Sequence, residues 1–85
     1  MSILKVSIRQ IKAARALLGW SQDRLASAAS VSIPTVKRLE AAGGDLGGRD
    51  GTAERLTAAL QDAGVVFLGG DGEGPGVRLK APSSR

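Results

Sequence analysis

The 85-residue chain contains no cysteine, no histidine and no tyrosine. Without cysteine there are no disulfides and no thiolate metal sites. Without histidine, the commonest general base and the commonest transition-metal ligand are gone as well. No apolar run approaches the roughly 18 residues that a membrane span requires. Met1 to Val6 is too short and too interrupted for a signal peptide. The expectation is a cytoplasmic protein that does not enter a membrane and is not an enzyme. No metal and no cofactor are expected, because nothing along the chain assembles a nucleophile with a base or a ligand set. At this length the chain makes one small domain with a marginal core, of the kind that often gains stability by oligomerising.

What is present is charge, unevenly placed. The formal net charge is +4 and the pI about 10.4. Residues 1–50 hold eight basic side chains (Lys5, Arg9, Lys12, Arg15, Arg24, Lys37, Arg38 and Arg49) against four acidic ones (Asp23, Glu40, Asp45 and Asp50), whereas residues 51–85 hold four of each sign. The whole excess lies in the first part of the chain, which suggests a polyanion as partner.

That part reads as helices with serine caps. Ser7 and Gln10 form a capping-box pattern, followed at helical spacing by Ile8, Ile11, Ala14 and Leu18, with Gly19 as the stop. Ser21 opens a second helix through about Ala29, with Leu25 and Ala28 as its apolar positions. Ser32 opens a third, in which Pro34 occupies the first turn, where its missing N–H costs nothing. Val36 and Leu39 are its inward positions, and Gly43-Gly44 ends it. After a loop from Asp45 to Gly51, Thr52 is expected to cap a fourth helix with Leu56, Ala59, Leu60 and Ala63 on one face and Gly64 as its end. The second and third helices are short and joined by a tight turn. Such a pair presents its second member to the DNA major groove, whose width admits an α-helix.

Beyond Gly64 the composition changes. Val65 to Leu68 is a β-prone run and Val77 to Lys80 alternates as a half-exposed strand does. The Gly-rich segment 69–76 between them is a flexible link; it lacks the Gly-Lys-Ser/Thr ending of a phosphate loop and the ligand set of a calcium loop. Residues 81–85 are expected to fray. The division expected is residues 1–64 as a helical unit and 65–85 as a hairpin with a tail. An isolated two-stranded hairpin is marginal in water, so it must pack on the helices, pair with a second chain, or both. Val65, Val66, Phe67, Leu68, Val77 and Leu79 are the expected dimer surface. Deleting residues 65–85 is expected to leave a folded or partly folded monomer.

Residues 8–64 resemble the Xre/Cro-type helix–turn–helix domain of lambda-repressor-like regulators. The resemblance is carried by Arg15-x-x-Leu18-Gly19, Ser21-Gln22-x-x-Leu25-Ala26, Val31-Ser32 and Thr35-Val36-x-x-Leu39-Glu40, in the family's order and spacing over about two thirds of the chain. It implies a mainly α fold of about four helices, here extended by a C-terminal β-hairpin. It also implies double-stranded DNA as partner, and a regulator acting as a homodimer on a pseudo-palindromic operator. Gln22 would lie against a phosphate at the positive N-terminus of the second helix. Ser32, Ile33, Pro34, Thr35, Lys37 and Arg38 would form the reading face of the third. There Arg38 would fork onto guanine and Lys37 would meet phosphate. Thr35 would touch a base, a phosphate or a thymine methyl, and Ile33 and Pro34 would add apolar contact and shape. Many relatives carry Gln or Arg where this chain has Ile33 or Pro34, which leaves direct base readout thin.

By the same resemblance Arg15 and Glu40 would pair structurally. Trp20, the single tryptophan, is expected to pack in the turn between the first two helices rather than intercalate. Ser30 stands where many relatives have glycine, so that turn is expected to differ slightly. The alternative reading is a regulator of the same fold that binds a protein partner, such as the antitoxin of a toxin–antitoxin pair.

Overall fold

The computed structural model describes residues 6–44, 51–69, 72 and 74–80. The expected loop at 45–50, residues 70, 71 and 73 of the glycine-rich link, and the expected frayed tail at 81–85 lie outside them. The described chain is mainly helical, with a small antiparallel hairpin at its C-terminal end. In order it runs α1 (Ile8–Leu18), α2 (Gln22–Ala29), α3 (Ile33–Ala42), α4 (Thr52–Asp62), β1 (Val65–Leu68) and β2 (Gly76–Leu79).

Local side-chain chemistry sets most helix boundaries. Ser7 Oγ accepts from the Gln10 amide (3.2 Å) while Gln10 Oε1 accepts from the Ser7 amide (3.0 Å), which completes the expected capping box. Ser21 and Ser32 cap α2 and α3 in the same way, by accepting from Arg24 N and Thr35 N. Gly19 closes α1 at φ 70°. Ser30 closes α2 at φ 57°, ψ 44°, so the left-handed turn is kept without glycine, at a strain of about 1–2 kcal/mol.

Two expectations change here. Thr52 does not precede α4 but begins it, behind Gly51 at φ 83°, so the N-cap position itself brings no side-chain bond to that end. On α2 the buried positions are Leu25, Ala26 and Ala29, and Ala28 is exposed. The reason is that α2 packs against both α3 and α4, which widens its buried stripe and turns it away from Ala28.

The core gathers Ile11, Ala14, Leu25, Val36, Leu56 and Leu60 from the four helices, together with Val65 and Phe67 from β1. In the hairpin Val65 pairs with Leu79, Val66 with Arg78, Phe67 with Val77 and Leu68 with Gly76. β2 therefore starts one residue earlier than the alternation suggests, and Lys80 lies just beyond it with its amide donating to Gly64 O (2.8 Å). β1 packs on α4 and β2 on α1. Gln10 fastens the hairpin's loop end, because its buried Nε2 donates to both Leu68 O and Gly76 O (2.9 Å each).

This placement corrects the expected dimer surface. Val65 and Phe67 are 2% and 6% exposed and belong to the chain's own core, because alternation in a strand turns them to the helices. Val66, Leu68 and Val77 are half-buried and Leu79 is 39% exposed. The hairpin is thus not a removable arm. Phe67→Ala is expected to destabilise the chain by about 3 kcal/mol. Truncation after Gly64, which opens the core at both Val65 and Phe67, should abolish cooperative unfolding. Thermal melts followed by circular dichroism check both, and a truncated chain that melts like the full one would contradict this placement.

Candidate nucleic-acid interface

α3 carries its exposed residues on one face. Ile33, Pro34, Lys37, Arg38 and Ala41 are exposed, at the i, i+1, i+4, i+5, i+8 spacing of a helical stripe. Val36 and Glu40 are buried on the opposite side, with Leu39 half-buried. Ser32 is exposed and Thr35 half-buried; their hydroxyls lie 2.7 Å apart and bond to each other. The residues expected on α3's reading face are therefore grouped at its outer surface and first turn.

A single ionic cluster holds α3 in place. Arg15 Nε donates to Glu40 Oε2 and Arg15 Nη2 to Glu40 Oε1, both at 2.8 Å, so the expected pair is bidentate. Arg15 Nη1 donates to Trp20 O (2.8 Å), and the Trp20 amide donates back to Arg15 O (2.9 Å). Gln22 Nε2 donates to Glu40 Oε1 (2.9 Å). Burial pushes the Glu40 carboxyl up. Hydrogen bonds from Arg15 and Gln22, with the charges of Arg15 and Lys12, outweigh it and leave the carboxyl below its ordinary value. The hydrogen bond to Glu40 is what raises Arg15, against a smaller opposing effect of burial.

The cluster changes how Gln22 is read. Its side chain is half-buried and turned to Glu40, so one amide proton is already engaged and one remains for any other acceptor. No pattern in the sequence distinguishes this from an outward Gln22. Trp20 packs against the core, as expected of it, with the Arg24 guanidinium 5.0 Å from its ring centre, a cation–π distance.

Charge on α3 is one-sided. Its single acid, Glu40, is buried and matched by Arg15, so the exposed surface of the helix bears only Lys37 and Arg38. A cleft of about 250 Å³ between α1 and β2, lined by Ser7, Arg9, Gln10, Ala13 and Pro75 to Val77, offers less. Its Ser7 and Gln10 side chains are already bonded to each other's backbones. Among the described residues no group of three or more acids is placed to hold a metal ion, and no helix is long and apolar enough to cross a membrane. No protein-family model and no curated protein matches the chain.

The cluster makes a pH prediction with a definite sign. A carboxyl whose folded value lies below its ordinary 4.5 binds fewer protons folded than unfolded. Its contribution to stability is complete above about pH 4.5 and disappears as pH falls through the lower, folded value. Glu40→Gln leaves Arg15 uncompensated and should cost about 3 kcal/mol at neutral pH, the low end for a buried pair because Arg15 is partly exposed. It should also flatten the acid limb of stability. Urea unfolding of both proteins across a pH series measures the two effects together.

Proposed function

We propose that the chain is a sequence-specific DNA-binding transcriptional regulator of the Xre/Cro helix–turn–helix type, with α2 and α3 as the helical pair and α3 as the reading helix. One observation carries the proposal: the outer face of α3 is cationic and apolar, with no exposed acid on the helix. An α-helix fits the major groove, and a groove walled by phosphates favours a face without carboxylates. Arg38, exposed in the middle of α3, has the planar fork that matches guanine O6 and N7. Lys37 beside it meets phosphate. Gln22, with one amide proton on Glu40, has its other proton for a phosphate at the start of α2, where the helix dipole is positive.

The regulator acts as a homodimer. Two reading helices about 34–36 Å apart would enter successive major grooves of a pseudo-palindrome. The apolar side chains left for a second copy on the hairpin are Leu79 and the half-buried Val66 and Leu68, since Val77, opposite Phe67, packs against the core. A second copy would raise the effective concentration of the second reading head.

Affinity for duplex DNA is expected to fall steeply and log-linearly with salt, as counterions are released from the phosphates engaged. Arg38→Ala should lose about 1–3 kcal/mol on a preferred duplex and little on others, while Lys37→Ala should weaken all duplexes alike. Fluorescence anisotropy at several salt concentrations decides both, and a flat salt response would remove the proposal's electrostatic basis. For the dimer, Leu79→Asp should sediment as a folded monomer with reduced affinity for a two-half-site duplex. A persisting dimer places the interface on the helices.

A further inference from the structure

The first turn of α3 sets one hydroxyl pair beside an apolar surface. Ser32 Oγ accepts from Thr35 N (3.2 Å) and lies 2.7 Å from Thr35 Oγ1, so one of the two hydroxyl protons is engaged between them and the other remains. The side chains next to this pair are apolar. Ile33 is 37% exposed, one of three large apolar side chains so exposed among the described residues, and the Pro34 ring is exposed beside it. One turn further on stand Lys37 and Arg38, also exposed. That turn is about 6 Å along the axis, a little under two base-pair steps of about 3.4 Å each.

The apolar group of the major-groove floor is the C5-methyl of thymine. Cytosine presents a hydrogen at that position, and 5-methylcytosine presents the same methyl. Resting on the DNA-binding reading above, we propose that Ile33 and Pro34 form a methyl-reading surface. It selects a 5-methylated pyrimidine, thymine or 5-methylcytosine, about two steps from the guanine met by Arg38. The neighbouring cations favour this occupant over an apolar protein surface, because in the groove Lys37 gains a phosphate and Arg38 a guanine edge, whereas both would lose water against a hydrophobic partner. This answers the thinness of direct readout at Ile33 and Pro34, which have no hydrogen bond to give through their side chains. The discrimination they supply is removal of methyl surface from water.

The test uses the full chain and a duplex library with a randomised core, prepared in three forms: with thymine, with deoxyuridine in its place, and with 5-methylcytosine in place of cytosine. Selection from the thymine library should enrich thymine about two steps from a guanine. The uracil form of the enriched duplex should bind about fourfold more weakly for each methyl lost. In the third library, 5-methylcytosine should be accepted at the thymine position. Ile33→Ala, a change at an exposed site, should stay folded by circular dichroism, lose the thymine–uracil difference and keep the guanine preference. Arg38→Ala should do the reverse. Equal affinity for thymine and uracil forms overturns the methyl reading while leaving DNA binding in place. A thymine–uracil difference that survives in Ile33→Ala overturns the assignment to Ile33. Failure to enrich any duplex removes the DNA-binding reading and this inference with it.

Discussion

The placement of α3 depends on one buried carboxylate. Glu40 is 6% exposed and is held by two N–H groups of Arg15 and one of Gln22. Arg15 belongs to α1, Gln22 opens α2, and the same guanidinium reaches the carbonyl of Trp20 in the turn between them. Three helices and a turn thus meet at one charge. Apolar contact alone tolerates small rotations of one helix on another, since its energy has little direction. A guanidinium fork on a carboxylate does not, because both bonds lengthen or bend together. A buried pair of this kind is weak evidence for extra stability but strong evidence that breaking it is costly. Its contribution here is angular: Glu40 faces inward, so Lys37 and Arg38 face outward.

The division of labour within α3 follows from that. The helix is only 10 residues long, too short to persist alone, and its inner surface is Val36, Glu40 and half-buried Leu39. Everything outward is free of core duties, so substitutions there leave the fold in place. The proposed reading face consequently combines a fixed helix with replaceable side chains.

Much of this was legible in the sequence because the deciding interactions are local. Ser7, Ser21 and Ser32 cap helices by reaching three residues ahead, and Gly19 stops one by its own backbone freedom, so neighbours in sequence suffice to find them. The Arg15–Glu40 pair was reachable only through the motif that contains both residues. What escaped depends on distant partners. Ala28 is exposed because of where α3 and α4 lie, which the pattern of α2 does not contain. Val65 and Phe67 advertise a need for burial, but composition does not say what fulfils it, and the chain's own helices do so here. Gln22 looks the same in sequence whether its amide meets Glu40 or a phosphate. At Thr52, the glycine before it took over the helix entry that a threonine commonly provides.

Gln10 has a consequence for how the molecule is completed. Its side-chain amide satisfies carbonyls 58 and 66 residues further along the chain, among the longest sequence separations that the described residues span. Closing a loop of that length costs entropy before any contact is gained, and contacts of this kind slow folding. Without those contacts one wall of the core stands open to water, because Val65 and Phe67 belong to it. The scaffold behind the proposed reading helix is therefore closed by a bond between the first helix and the hairpin, and not by the helical pair itself.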